Sequence, residues 1–163
     1  MSKDMSKGPK LDEAEEHYMQ GVLLAGKGKH EEAEKEYREA IRLNPKHAKA
    51  HYNLGVLYGE KENYGEAVKA YRQAIKLDRD FAEAHYGLGY ALLKKEKYEE
   101  AEGSFRKAIG LNPDYLGALK NLALCLDLLG RAKEARKYWE KVLKLEKSSE
   151  VISFITKRLE RPN

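Results

Sequence analysis

The five histidines are the residues of this chain most suited by type to metal binding or acid–base chemistry. His17, His51 and His85 recur at intervals of 34 residues. That interval places equivalent side chains on successive structural units, on the order of 10 Å apart, too far to share one metal ion. His47 and His51 would share a helix face as two ligands, but no third ligand and no catalytic glutamate accompany them. The sequence therefore predicts packing or surface roles for the histidines, and no metal or other cofactor.

The cysteine, carboxylate and glycine residues do not form a catalytic pattern either. Cys125, the single cysteine, lies in a leucine-rich segment, where a thiol acts as a small apolar filler. The pairs Glu31-Glu32 and Glu99-Glu100 occur where helices are predicted to begin, and negative charge is favourable there because of the helix dipole. No glycine-rich run leads from a strand into a helix, as a phosphate-binding loop requires. We predict that the protein is not an enzyme.

A 34-residue repeat organises the elements that carry these residues, and its four copies align without gaps. The later columns are Ala33, Ala67, Ala101 and Ala135; Tyr37, Tyr71, Phe105 and Trp139; Ala40, Ala74, Ala108 and Val142; and Leu43, Leu77, Leu111 and Leu145. The earlier columns include Gly21, Gly55, Gly89 and Ala123, and Leu24, Tyr58, Leu92 and Leu126. Column spacings of three and four residues predict two amphipathic helices per copy, with the small residues allowing their backbones to approach closely.

This pattern resembles the tetratricopeptide repeat, and the resemblance covers residues 14–149. It implies an all-α fold: a right-handed superhelical array, or α-solenoid, of four helix-turn-helix repeats at 14–47, 48–81, 82–115 and 116–149. Residues 1–13 are expected to be a flexible amino-terminal segment. Residues 150–163 are predicted to form a capping helix and tail, with Ser148 or Ser149 as the N-cap and Val151, Ile152, Ile155 and Leu159 on the apolar face. Phe154 does not fit that face.

The family resemblance also implies a function, because arrays of this kind bind protein segments in a concave groove lined by the first helices. The residues predicted to contact a partner are Tyr18, Val22, Tyr52, Asn53, Val56, Tyr86, Tyr90, Leu93, Lys120, Asn121 and Leu124. Most are aromatic or aliphatic, so we expect a scaffold or adaptor that binds an apolar or amphipathic segment of a partner protein. The alternative for the tyrosines is that they only pack against neighbouring helices.

Four further hypotheses concern partners. A subgroup of the family holds chaperone tails with a clamp of Lys, Asn and Arg side chains, but of these only Asn53 is matched here, which disfavours that role. The chain could instead assemble with itself through its end faces or the helix around Phe154, or could be the regulatory part of a larger complex. An acidic partner segment could also enter past Lys120.

Charge and composition limit the remaining functional classes. The net charge is +4, and its excess falls in residues 116–149 rather than along every repeat, which disfavours nucleic-acid binding. No apolar run is long enough to cross a membrane. A single cysteine suits a reducing compartment, so a cytoplasmic location is expected.

Overall fold

The computed structural model describes residues 9–160, which form nine α-helices and no strand. The helices are α1 Pro9–Gly26, α2 His30–Leu43, α3 Ala48–Glu60, α4 Tyr64–Leu77, α5 Ala82–Lys94, α6 Tyr98–Leu111, α7 Leu116–Leu128, α8 Ala132–Leu145 and α9 Ser149–Leu159. The predicted all-α fold class is confirmed. None of the helices in this described range is both long and apolar enough to cross a bilayer.

The chain divides into two compact units, Met1–Arg79 and Asp80–Asn163. In unit 1, α1 pairs with α2 and α3 with α4, and α2 also contacts α3. In unit 2, α5 pairs with α6 and α7 with α8, while α6 contacts α7 and α8 contacts α9. Each pair is a helical hairpin, as the repeat predicts. Helices α3, α5 and α7 begin at the first residues of the second, third and fourth predicted repeats.

The close approach of paired helices depends on one glycine in each of the first three hairpins. A Cβ atom added at Gly21 would lie 2.6 Å from Cδ1 of Tyr37, and one added at Gly55 or Gly89 would lie 2.7 Å from the ring of Tyr71 or Phe105. These separations are well inside van der Waals contact, so the aromatic ring occupies the space that a side chain would need. The structure thus gives the predicted glycine and aromatic columns a common packing role.

The turn within each hairpin contains one residue in the left-handed backbone region. These residues are Gly28, Glu62, Glu96 and Gly130, with φ angles of 74°, 56°, 59° and 73°. They occupy the same column of the repeat. Glycine adopts this conformation without penalty, whereas a residue with a Cβ atom is strained there, so the two glutamates are held in place by the hairpins around them.

Polar side chains cap three of the helices at their amino ends. Nδ1 of His47 accepts a hydrogen bond from the backbone N–H of Ala50 at 3.2 Å, and Asn63 caps α4 in the same manner. Oγ of Ser148 accepts from the N–H of Val151 at 3.5 Å, as predicted for the last helix. These caps satisfy amide groups that have no partner inside the helix.

Helices α1 and α9 stand at the two ends of the described chain. Helix α1 begins at Pro9, inside the segment predicted to be flexible, because proline is well tolerated in the first helical turn, where its missing N–H would have no partner. Residues 1–8 of that segment lie outside the described residues. Helix α9 packs with Ile155 fully buried, while Phe154 is 63% exposed.

Candidate partner-binding surface

The predicted partner-binding residues lie on the first helix of each hairpin, and the structure separates them into packed and exposed groups. Those of unit 1 are Tyr18 and Val22 on α1 and Tyr52, Asn53 and Val56 on α3. Those of unit 2 are Tyr86, Tyr90 and Leu93 on α5 and Lys120, Asn121 and Leu124 on α7. Only Val22, Tyr90 and Leu124 among these eleven are exposed.

In unit 1, the tyrosine column lies between aromatic side chains. The Tyr18 ring is half-buried, with centroids 6.1 Å from that of Tyr37 and 4.6 Å from that of His47. Burial raises the pKa of the Tyr18 hydroxyl, because the phenolate would lose its hydration. Tyr52 lies 5.8 Å from Tyr71 between ring centroids. Both tyrosines therefore pack against the second helix of their own hairpin, and Tyr18 also contacts the residue that caps α3.

Unit 2 repeats this arrangement. The centroid of Tyr86 lies 6.0 Å from that of Phe105 and 4.8 Å from that of Tyr115. The backbone of α7 lies close to this ring, since a Cβ atom added at Gly117 would lie 3.1 Å from the Tyr86 hydroxyl. Burial raises the pKa of Tyr86. The Tyr86 ring is thus enclosed by the next hairpin and offers a partner little surface.

The aromatic residue that precedes the following first helix was missed by the sequence analysis. It is His47 against Tyr18 and Tyr115 against Tyr86. His47, Phe81 and Tyr115 recur at the repeat interval, and this column would have revealed the contact.

The two asparagines connect neighbouring hairpins. Nδ2 of Asn53 donates to the Tyr37 hydroxyl at 3.3 Å, and Nδ2 of Asn121 donates to the Tyr86 hydroxyl at 3.3 Å. A hydrogen bond from Asn53 also opposes the rise in the pKa of Tyr18. The side-chain amides of both asparagines therefore form hydrogen bonds within the fold.

Lys120 is also committed to an internal contact, with the carboxylate of Glu146. The same carboxylate accepts hydrogen bonds from the backbone N–H groups of Lys147 at 2.9 Å and Ser148 at 3.0 Å. The hydrogen bond from Lys120, with these two amides, lowers the pKa of Glu146 to about 2. Lys120 therefore orders the connection between α8 and α9.

The basic excess of residues 116–149 is partly paired. Arg131 contacts Glu102 at 2.6 Å and Glu134 at 2.7 Å, and Arg136 contacts Glu140 at 3.0 Å. Exposed lysines for which the described part of the chain shows no ion pair are Lys133, Lys137, Lys144 and Lys147. These four all lie on or directly after α8, as expected for a solvated helix face.

An exposed apolar patch remains on the first helices of unit 2, consisting of Tyr90, Leu124 and Leu128. Their exposed fractions are 39%, 41% and 50%. Tyr90 and Leu124 occupy the same repeat position on α5 and α7, two helices that contact each other, and Leu128 lies one turn after Leu124. The Lys94 ammonium lies 5.5 Å from the Tyr90 ring centroid. Leu128 and Lys94 were not among the predicted site residues, although their spacing of four from Leu124 and Tyr90 indicates a shared face.

His17 and His51 form polar contacts within the fold, and Cys125 is buried. Within the described residues, no group of three His, Cys, Asp or Glu side chains could hold a metal ion. Nδ1 of His17 lies 2.6 Å from Oε2 of Glu36, and Nε2 of His51 contacts the carbonyl of Pro45 at 3.1 Å. Cys125 is fully buried, and burial raises its pKa to about 11. The thiol stays protonated at neutral pH, consistent with an apolar filler.

Comparison with protein families agrees with this geometry. Models described as tetratricopeptide repeat match residues 55–115 and 92–157, and one described as TPR repeat matches residues 21–61. The chain belongs to the tetratricopeptide repeat family. No curated protein matches it in sequence.

Several solved tetratricopeptide repeat (TPR) structures resemble the chain. MamA 41-end from Desulfovibrio magneticus RS-1 is 26% identical, with 84% of this chain and 77% of that chain covered and a TM-score of 0.75. PilF of Pseudomonas aeruginosa is 24% identical, with 93% of this chain and 71% of that chain covered and a TM-score of 0.79. The first TPR of Spaghetti (RPAP3), bound to an HSP90 peptide, is 22% identical, with 74% of this chain and 95% of that chain covered and a TM-score of 0.72. The last two likenesses establish the fold.

Proposed function

We propose that this TPR protein is a non-enzymatic interaction scaffold that binds an apolar or amphipathic segment of a partner protein on the first-helix face of unit 2. The observation that carries the proposal is the apolar patch of Tyr90, Leu124 and Leu128, which stays exposed while Tyr86, one helical turn before Tyr90, is packed against Phe105. Family membership supports an interaction role, as does the peptide held by the first TPR of RPAP3. A cytoplasmic location and the absence of a cofactor remain predictions from the sequence.

The chemistry of the patch defines the ligand. Tyr90 offers a ring face and a hydroxyl, and the two leucines offer aliphatic surface, so apolar side chains of the partner would be removed from water here. Lys94 beside the ring carries a positive charge, and no carboxylate of the described residues forms an ion pair with it. An acidic group next to the apolar anchors of the partner would therefore pair with Lys94, which makes an amphipathic acidic segment the favoured ligand.

The contacts of Asn53 disfavour the chaperone-tail role further. It is the one position that matches the carboxylate clamp of that subgroup, and its amide already donates to Tyr37. Glu83, on α5 of the third repeat, would repel a terminal carboxylate. From the similarity to the RPAP3 structure we therefore infer the fold and a general capacity to bind peptides. We do not infer binding of the HSP90 peptide.

A random peptide library displayed on phage would test the proposed function directly. We expect enriched peptides to combine aromatic or aliphatic residues with a carboxylate, and to bind the double variant Tyr90→Ala, Leu124→Ala at least about tenfold more weakly. Leu111→Ala is the matched control, since Leu111 is 39% exposed on the second helix α6. Lys94→Met should weaken acidic peptides selectively. If the enriched peptides bind the double variant as tightly as the wild type, the binding site does not include Tyr90 and Leu124, and the proposed location is wrong.

A further inference from the structure

One face of α1 is unlike the equivalent face of later first helices. Leu54 and Leu57 on α3 are buried in a cluster with Ala33 and Tyr37 of α2. The corresponding positions on α1 are Gln20 and Leu23; Gln20 is exposed and Leu23 is 51% exposed. The preceding helix α2 thus covers on α3 the face that α1 leaves open. The first repeat therefore carries a face suited to helix docking, and this face is exposed in the described part of the chain.

Charged residues bracket the apolar centre of this face. The face, here the head stripe, consists of Glu16, Met19, Leu23 and Lys27, at helical intervals along α1 and its carboxyl end. Met19 is 59% exposed, and both charged residues are exposed without an ion pair to another described residue. From the amino end, the stripe reads acidic, apolar, basic.

Helix α9 carries a second exposed stripe at the other end of the sequence. This tail stripe consists of Glu150, Phe154 and Lys157, spaced four and three residues apart on one helix face. Phe154 is 63% exposed, and both charged residues are exposed without a described ionic partner. From the amino end, the tail stripe also reads acidic, apolar, basic.

The two stripes are complementary only when the helices run antiparallel. Phe154 then lies between Met19 and Leu23, Lys157 faces Glu16, and Glu150 faces Lys27. A parallel arrangement would place like charges opposite each other at both ends. The spacings from the apolar centre to the charges differ between the stripes by about 3 Å at each end, from the helical rise of 1.5 Å per residue, which is within the reach of lysine side chains.

We propose that the occupant of the head stripe is α9 of a second copy of this chain. Each copy has one head stripe and one tail stripe, so the contact is heterologous and copies associate head to tail. The interface is small compared with stable protein–protein interfaces, so the association is weak and grows with protein concentration. Oppositely charged pairs at both ends fix the direction and register of the contact.

Sedimentation equilibrium across a concentration series, with the full chain, tests this contact. Wild-type protein should show an average mass that rises with concentration. Leu23→Glu and Phe154→Glu change exposed residues at the head and the tail, and each should lower the association constant roughly tenfold or more. An equimolar mixture of the two variants should form dimers and nothing larger, because only one productive contact remains between the two. Leu111→Glu is the matched control and should associate like the wild type.

A charge exchange between the two stripes distinguishes this specific helix pairing from nonspecific association. Glu16→Lys or Lys157→Glu alone should weaken association, and the two substitutions combined in one chain should restore it. Wild-type protein that stays monomeric at all concentrations would overturn the proposal, as would association unaffected by both glutamate variants. If removing residues 2–8 converts a monomer into an associating species, the amino-terminal segment covers the head stripe instead, and the proposal also fails. Peptide binding at Tyr90 and Leu124 is measured separately and does not depend on either result.

Discussion

At the residue scale, Tyr52 and Tyr86, which sequence reasoning assigned to ligand contact, pack against the rings that fill the space above the helix glycines. Phe105 fills the space above Gly89 while contacting Tyr86 at 6.0 Å between centroids. Tyr86 in turn lies against Tyr115 at the start of the next hairpin. The Tyr86 ring therefore links packing within the third repeat to packing against the fourth. The neighbouring column, represented in unit 2 by Tyr90 and Leu124, stays exposed.

Substitution of a buried glycine tests this packing. We expect Gly89→Ala to destabilise the protein, because its Cβ would lie 2.7 Å from Cδ1 of Phe105. Overpacking of this kind costs about 1–3 kcal/mol, which exceeds the gain of about 1 kcal/mol in helix propensity. Gly103→Ala on α6 is the matched control, since nothing lies within 4 Å of its added Cβ, and it should stabilise. The urea midpoint, followed by circular dichroism, should fall for the first variant and rise for the second; a rise for both would remove the packing role.

At the element scale, each hairpin turn depends on the same backbone conformation although the residue varies. Gly28 and Gly130 adopt positive φ angles at no steric cost, while Glu62 and Glu96 do so with a Cβ atom. The turns of the second and third hairpins therefore carry local strain that the packed helices on both sides impose. Helix pairing, rather than turn composition, determines these turns.

The strain at the third hairpin turn is measurable. We predict that Glu96→Gly raises the stability of the protein by about 0.5–1 kcal/mol, because it relieves left-handed strain that exceeds the entropic cost of glycine. The reverse substitution Gly130→Ala should lower stability by a similar amount, since nothing lies within 4 Å of its Cβ and only the backbone conformation is affected. Thermal midpoints of the two variants should move in opposite directions. Movement in the same direction would mean that the turn conformation does not control their stability.

At the scale of the whole molecule, four hairpins are distributed over two compact units. The stability of repeat proteins is approximately a sum of repeat and nearest-neighbour terms, so opening can occur in part of the chain. Cys125, fully buried on α7, is the single thiol of the sequence and reports on unit 2. It provides a direct probe of how often that unit opens.

Thiol labelling by a disulfide reagent at pH 8 should be slow in the folded protein. Burial holds the pKa of Cys125 at about 11, so only about a thousandth of the thiol would be thiolate even if the reagent reached it. In urea-unfolded chain the pKa returns to its ordinary value and labelling should be fast. Gly89→Ala, in the same unit, should accelerate labelling of the folded protein. Folded wild-type protein that reacts at the unfolded rate would show that Cys125 is not buried in solution.

The sequence by itself determined the repeat, the two helices of each copy, the all-α class and the glycine–aromatic packing, because a 34-residue period with columns three and four residues apart fits only stacked amphipathic hairpins. The sequence also indicated the cap at Ser148 and the exposure of Phe154. Only the tertiary structure decided which predicted surface residues remain available. Tyr18, Tyr86 and Asn121 have the residue types of binding positions, yet each also contacts a residue outside its own hairpin. Lys120 is paired with a glutamate 26 positions further along. Residue type and helical periodicity determine which face a side chain occupies, whereas its availability depends on what packs against that face, and contacts between hairpins determine that.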